Sequence, residues 1–235
     1  EPMIRQHIDT GADITMMYKK VSATNIEFSR SQHSEHTFID VDEDNVVRDM
    51  EINPNAANYD NLALDIVIVK RTLLIHLIDQ AVAHGAKSFN DDILRPFIRS
   101  GSLKVMACRM DGYYSRIETI KHYFRFNLDL LNYDVRRELF GTMPIYTKTR
   151  DEVPAVYRAG AQVRNSLVAD GCIIEGNVEN SVLFRGVHVA RGANIKNSII
   201  MQDGSIEEFV ELENVILDKD VTVRSHGRLI APSQY

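Results

Sequence analysis

Several short clusters in this chain hold residue types that do chemistry. His33 and His36 sit three apart with Glu35 between them, a spacing two metal ligands can share. The stretch around them is rich in Ser and Gln and has no third ligand nearby, so a polar loop is expected and a metal site is not. Asp91 and Asp92 are adjacent carboxylates. Adjacent side chains do not converge on one point, and acids ahead of an apolar run suit the positive end of a helix. Lys19-Lys20, Arg95 with Arg99, and Arg136-Arg137 are basic clusters that could hold an anionic regulator such as a sugar phosphate. Solvated faces are the plainer reading of such runs; Arg136 and Arg137 are kept as the candidate anion-binding residues. Cys108 and Cys172 lie far apart, each in an apolar strand-like run. Buried reduced thiols are expected there.

The elements that must position these groups come in two styles. Up to about residue 132 the chain alternates helix and strand. Residues 1–10 read as a helix end with Gly11 as its cap, and Asp13–Lys20 as a strand. Phe38–Val41 and Val46–Asp49 flank Asp44-Asn45, a hairpin signature. Leu64–Val69 is almost wholly apolar and reads as a strand buried on both faces. A helix follows through Leu73, Leu77 and Ala81, stopping at Gly85, and a second starts near Asp91. Leu103–Arg109 is a further strand, and Thr119–Leu131 an amphipathic helix. A nucleotide-binding α/β domain carries a Gly-rich turn at a helix N-terminus, where phosphates bind. The glycines here before residue 150 (Gly11, Gly85, Gly101, Gly112 and Gly141) are each isolated.

From Val153 to Ile230 a phrase returns: Asn165-Ser166-Leu167-Val168, Asn180-Ser181-Val182-Leu183, Asn197-Ser198-Ile199-Ile200 and Asn214-Val215-Ile216-Leu217. The steps are 15, 17 and 17 residues. Three short strands per coil of roughly 18 residues explain that period, with branched residues stacking inward and Gly or Asn at corners that need positive φ. About four coils of parallel β-helix are expected. A small β-sandwich, with turns every 8–12 residues, fits less well. In acyltransferases built from such repeats a histidine between coils acts as general base, in a trimer; His188 and His226 are read instead as surface positions. The domains are therefore placed at 1–132, a linker at 133–152, and 153–235.

Composition narrows the function classes. The net charge of −6 argues against nucleic acid as a general partner. No apolar run approaches the roughly 20 residues that span a bilayer. The chain opens Glu1-Pro2-Met3 without a signal-peptide core, so a cytoplasmic protein is expected, and the absence of Met at position 1 suggests a missing beginning.

Particular phrases resemble the bacterial glucose-1-phosphate adenylyltransferases (ADP-glucose pyrophosphorylases). That family carries Tyr-Trp-Arg-Asp-Val-Gly-Thr and then a helix ending Asn-Leu-Asp-Leu. Here Tyr113-Tyr114-Ser115-Arg116-Ile117-Glu118-Thr119 leads to Asn127-Leu128-Asp129-Leu130. The family's Asn-Ser-x-Ile, Gly-Cys-x-Ile and Ser-Val-Leu phrases are matched at Asn165–Val168, Gly171–Ile174 and Ser181–Phe184, and Gly11–Thr15 resembles a turn and strand of its mid-domain. The resemblance implies a partial, Rossmann-like nucleotidyltransferase α/β domain followed by a left-handed parallel β-helix of hexapeptide repeats.

The departures bear on activity. The resemblance places a Mg²⁺-binding acid where Arg116 stands. A guanidinium about 4 Å from a divalent ion is repelled by roughly 8 kcal/mol at an effective dielectric of about 20. Ile52 and Asn53 stand where catalytic members have the Glu and Lys that hold glucose-1-phosphate, and Ala63 replaces a serine. Phe89-Asn90-Asp91-Asp92-Ile93-Leu94 lacks the Gly and Lys of the matching family phrase. These degenerate positions imply no catalytic residues and no cofactor in this chain. The expectation is a non-catalytic companion subunit, inactive alone, with Mg²⁺ only in the catalytic partner, in homo- or hetero-tetramers. The alternatives are an active sugar-phosphate nucleotidyltransferase with a rearranged site, or a hexapeptide acyltransferase.

Overall fold

The computed structural model describes residues 1–21, 35–141, 145–147 and 151–232. They form two units, Glu1–Gly112 and Tyr113–Tyr235.

In the first unit, helix α1 (Pro2–Thr10) starts on a proline, whose missing N–H is no loss there, and stops at Gly11 (φ 58°). Strand β1 (Ile14–Lys20) follows. Strands β2 (Thr37–Val41) and β3 (Val47–Ile52) make the expected hairpin. Asn45 takes φ 61° at its turn, and Asp42 Oδ1 accepts from the amides of Asp44 (3.0 Å) and Val46 (2.8 Å). Strand β4 is Asn61–Val69, and helix α2 is Arg71–Ala83, ended by Gly85 at φ 69°. The helix expected near Asp91 is a π-helical turn, Phe89–Leu94, running into α3 (Arg95–Ser100). Ser88 caps it, its hydroxyl accepting from Asp91 N–H at 3.0 Å. Strand β5 is Val105–Arg109.

The sheet order is β3-β2-β4-β1-β5; β1 pairs antiparallel with β4 and parallel with β5. Its core gathers Ile14, Met16, Ile39, Met50, Leu77, Leu94 and Val105. One expectation needs correcting. Strand β4 is buried only through Leu62, Ala63 and Leu64; Asp65 and Ile66 are exposed. Asp65 adopts φ 56° where the β1 register slips between Met16 and Tyr18, and β2 meets β4 at the single pair Phe38–Leu62. The bulge turns the second half of the strand out of the two-sided burial that its composition suggests.

The second unit is a parallel β-solenoid preceded by two helices, α4 (Ile120–Asp129) and α5 (Tyr133–Phe140). The sequence reading placed α4 before the domain boundary and α5 in the linker; in the structure both group with the solenoid. The solenoid's short strands stack into three parallel sheets: β6 (Val156–Tyr157), β9 (Ile173–Ile174), β12 (His188–Val189), β15 (Ser205–Ile206) and β18 (Thr222–Val223); β7 (Gln162–Arg164), β10 (Asn177–Glu179), β13 (Asn194–Lys196), β16 (Glu211–Glu213) and β19 (Arg228–Ile230); and β8 (Leu167–Val168), β11 (Val182–Leu183), β14 (Ile199–Ile200) and β17 (Ile216–Leu217). The Asn-Ser phrases supply the third sheet. Leu167, Val182, Ile199 and Ile216 are in register across four coils, which is the 15, 17, 17 spacing made physical. Cys172, Ile174, Val189, Ile195, Ile206 and Leu212 fill the interior.

Each sheet presents a different outer face. The second alternates charge from coil to coil, through Arg164, Glu179, Lys196 and Glu213, and so faces water comfortably. The third has apolar residues on both faces: Leu183 and Ile200 point inward, while Val182 and Ile199, outside that cluster, are buried as well. Helix α4 lies on this side, since Ile120 and Tyr123 share a cavity with Met201 and Ile216. An outward apolar face needs a cover, which explains why α4 belongs with the solenoid.

The corners use left-handed backbone as anticipated. Asn165, Asn180, Asn197 and Asn214 have φ between 43° and 57°. The serines beside them were not anticipated. Ser166 and Ser181 accept from the amides of Ser181 (3.1 Å) and Ser198 (3.0 Å) one coil on, and Ser198 accepts from Val215 N–H at 3.3 Å. Each serine also donates to the carbonyl two residues back. The ladder stops where Val215 replaces serine.

Candidate functional site

Ile52, Asn53 and Ala63 belong to the first unit, and Arg116, Arg136 and Arg137 to the second; each group is described within its own unit. Ile52 closes β3 opposite Thr37, half-buried. Asn53 adopts φ 47°. Its backbone N–H donates to His36 O at 2.8 Å, and its side-chain Oδ1 accepts from His36 N–H at 2.7 Å. This reciprocal pair ties the end of the hairpin, and asparagine tolerates that left-handed conformation better than lysine does. Glu51 is likewise engaged, its carboxylate accepting from the backbone and side-chain N–H groups of Asn58. Ala63 is fully buried against the sheet core, opposite Tyr18. These positions therefore offer neither a cation nor an open acid; they hold turns and packing.

In the second unit Arg116 Nε lies 2.9 Å from Glu118 Oε1, and the Glu118 side chain is only 6% exposed. A carboxylate so buried needs a counter-charge, and Arg116 supplies one. Thr119 then caps α4, its hydroxyl accepting from His122 N–H at 3.1 Å. The connector is anchored at its other end by Tyr113. Its hydroxyl donates to Asp129 Oδ2 at 2.8 Å, and its backbone N–H donates to Glu138. Burial first, and then the Asp129 hydrogen bond and charge, push the Tyr113 phenol up to about 12.

The sequence reading singled out Arg116 but missed Glu118. The signal was present: Glu118 stands where the resembled phrase has glycine, two residues after the replaced acid. The donor set does not fit Mg²⁺, which takes hard oxygen ligands and not a guanidinium. Glu118, the carboxylate at hand, is committed to Arg116. Among the described residues, no three His, Cys, Asp or Glu side chains converge as a metal site. His33 lies outside the described residues, so the His33/His36 spacing is not placed.

Five of the other basic candidates, Lys19, Arg95, Arg99, Arg136 and Arg137, have local partners. Arg136 donates to Leu130 O at 2.6 Å, satisfying a carbonyl at the end of α4, and the guanidinium carbons of Arg136 and Arg137 lie 6.0 and 5.9 Å from the Tyr133 ring centre. Arg99 holds Asp49 through two bonds of 2.8 and 3.2 Å, which keeps the Asp49 carboxyl below its usual range. Arg95 pairs with Asp91, and Lys19 donates to Gly112 O. Asp92 accepts from the amides of Ser88 (2.9 Å) and Lys87 (2.7 Å), which lowers its pKa, so the two acids serve the helix start. His188 is half-buried on β12, paired with Ser205, and His226 (φ 62°) stacks on Phe209 with ring centres 5.4 Å apart. Cys108 and Cys172 are free and buried.

Residues 153–229 match the family described as GlmU-like, C-terminal hexapeptide. Over 165 residues, 70% of this chain and 47% of the relative, the sequence is 39% identical to glycogen biosynthesis protein GlgD of Bacillus subtilis (strain 168). Over 235 residues it is 28% identical to a glucose-1-phosphate adenylyltransferase of Bacillus mycoides (strain KBAB4), covering 99% of this chain and 60% of the relative. The chain is a homologue of both proteins. The adenylyltransferase of Bacillus cereus (strain ATCC 10987 / NRS 248) is 27% identical over the same span. The chain thus covers between 47% and 60% of the length of these relatives. No described helix is long and apolar enough to cross a membrane.

Proposed function

We propose that this chain is a non-catalytic regulatory subunit of glucose-1-phosphate adenylyltransferase, acting in the cytoplasm in glycogen biosynthesis. The partner subunit performs the reaction of ATP with glucose-1-phosphate and carries the Mg²⁺. The observation that carries this reading is the Arg116–Glu118 pair at the place where the resemblance puts a metal-binding acid. Nucleotidyl transfer depends almost wholly on positioning and charge stabilisation, so losing the metal ligand removes most of the catalysis. Asn53 in a left-handed turn and Ala63 in the core support the reading from the first unit, since a phosphate there finds no lysine. The identity to GlgD supports the companion role.

Assembly with the catalytic subunit into mixed tetramers, and homo-oligomers in its absence, belong to the same proposal. The test is co-purification with the catalytic subunit, followed by ADP-glucose synthesis measured with and without this chain. The expected result is a stable complex, altered activity of the catalytic subunit, and no synthesis by this chain alone. Appreciable turnover by the purified chain would overturn the proposal.

A further inference from the structure

We propose that the second unit binds a neutral pyranose sugar where the turn from α4 to α5 meets the first two Asn-Ser corners of the solenoid. A cavity of about 580 Å³ opens there. Leu128, Leu131 and Val135 supply its apolar lining. Asp129, Asn132, Asn165 and Asn180 supply the polar lining, with Tyr113 beside Asp129. That is the size and make-up of a small-molecule site: apolar surface with a few convergent polar groups. Among the described residues no cationic side chain lines it, so nothing there is matched to a phosphate or carboxylate.

Each polar group is held by one atom and offers another. Asn165 Nδ2 donates to Asn180 Oδ1 at 2.7 Å. Stacked asparagines can form a continuous ladder, each amide donating to the next. Among the described residues the ladder stops at the cavity: Asn180 Nδ2 makes no bond to Asn197, so Asn180 Nδ2 and Asn165 Oδ1 are left over. Asn214, at the last of these corners, donates to Ala231 O at 2.8 Å. Asn132 Oδ1 caps α5 by accepting from Asp134 N–H at 2.9 Å, which leaves its Nδ2. Asp129 Oδ2 takes the Tyr113 hydroxyl at 2.8 Å, which leaves Oδ1. Asn180 and Asp129 are half-buried, yet neither leftover atom is sealed from solvent.

The cavity therefore presents two amide donors, on Asn132 and Asn180, and two acceptors, on Asn165 and Asp129. Their other bonds already fix them, so little ordering is left for a ligand to impose. A pyranose answers such a mixed set. Each ring hydroxyl both donates and accepts, and the C–H faces of the ring rest on leucine and valine. A bare anion meets no counter-charge and is repelled by Asp129. A short polyol such as glycerol has the hydroxyls but no ring face. The site lies wholly in the second unit, uses none of Ile52, Asn53, Ala63 or Arg116, and does not depend on the companion-subunit reading.

The test is saturation-transfer NMR on the full chain with glucose, galactose, maltose and lactose, and with glycerol and inorganic phosphate alongside. At least one neutral sugar should bind with a Kd of about 10 mM or tighter, about tenfold or more ahead of glycerol. Inorganic phosphate at equal concentration should not displace it. Two substitutions remove a donor and keep the rest. Asn180→Asp still accepts from Asn165 and still suits φ 48° at that corner, and Asn132→Asp still caps α5. Each should weaken the sugar about fivefold or more, with circular dichroism unchanged. No transfer to any of the four sugars at about 50 mM would overturn the proposal. So would displacement of the sugar by phosphate, or sugar binding unchanged in both variants.

Discussion

Glu118→Ala is the most informative single change. The wild-type pair is 2.9 Å apart, with Glu118 6% and Arg116 27% exposed. Truncating the acid leaves a guanidinium largely out of water without that counter-charge. Breaking a fully buried pair costs about 3–5 kcal/mol, and the partial exposure of Arg116 brings this to about 2 kcal/mol. The affected unit, Tyr113–Tyr235, has about 120 residues, for which each kcal/mol moves the melting point by about 4 °C. Its transition should therefore drop by about 8 °C in scanning calorimetry, with the first unit's transition unmoved. Replacing both partners, Arg116→Met with Glu118→Leu, should recover most of the loss, because an apolar pair carries no desolvation penalty. If Glu118→Ala melts like the wild type, the pair is not structural, and the claim that a ligand position has been rebuilt as a charge pair fails.

Further predictions concern activity, pH and packing. Arg116→Asp alone sets a second carboxylate beside Glu118; it should destabilise the second unit and restore no ADP-glucose synthesis, as a coupled assay would show. Tyr113 has a raised folded-state pKa of about 12 against an ordinary value near 10. Its contribution is therefore complete below pH 10 and lost as pH rises towards 12. Denaturant melts at pH 8.5 and 11.5 should show that loss in the wild type and not in Tyr113→Phe. Ser198→Ala removes a fully buried hydroxyl that bridges two coils and should cost about 1–2 kcal/mol by urea denaturation. Gly192→Ala should cost at least about 1–2 kcal/mol in the same assay, since Gly192 has φ 77° and a Cβ there would meet the Phe209 ring at 2.5 Å.

The second unit was the more legible from sequence, because a repeat states its own register. The Asn-to-Asn spacing became the pairing of Leu167, Val182, Ile199 and Ile216. What escaped notice was that both residues after each Asn-Ser are apolar. Neighbours in a strand face opposite ways, so one of them had to point outward and be covered. That alone argues for joining α4 to the solenoid. In the first unit, Leu64–Val69 misled because composition cannot reveal a bulge: Asp65 interrupts the run, and a single left-handed residue turns the remainder. Ile52, Asn53, Ala63 and Arg116, which the resemblance marks as departures, stand out only against a known pattern. Their present roles, such as the tie between Asn53 and His36, depend on contacts distant in sequence. Glu118 shows the limit of reading replacements singly, since its meaning comes from the residue two places before it.

Among the described residues, each solenoid strand pairs with the strands of the adjacent coils. Val182 and Leu183, for example, pair with Leu167 and Val168 before them and with Ile199 and Ile200 after. Opening must then begin at the ends and travel inward, like unstacking a column of coins. Among the described residues, the terminal strands β6 and β19 each pair with one strand, whereas β10 and β13 pair with two. Hydrogen–deuterium exchange should therefore be fastest near Val156 and Leu229 and slowest near Val178 and Ile195, a gradient set by position in the stack more than by residue type.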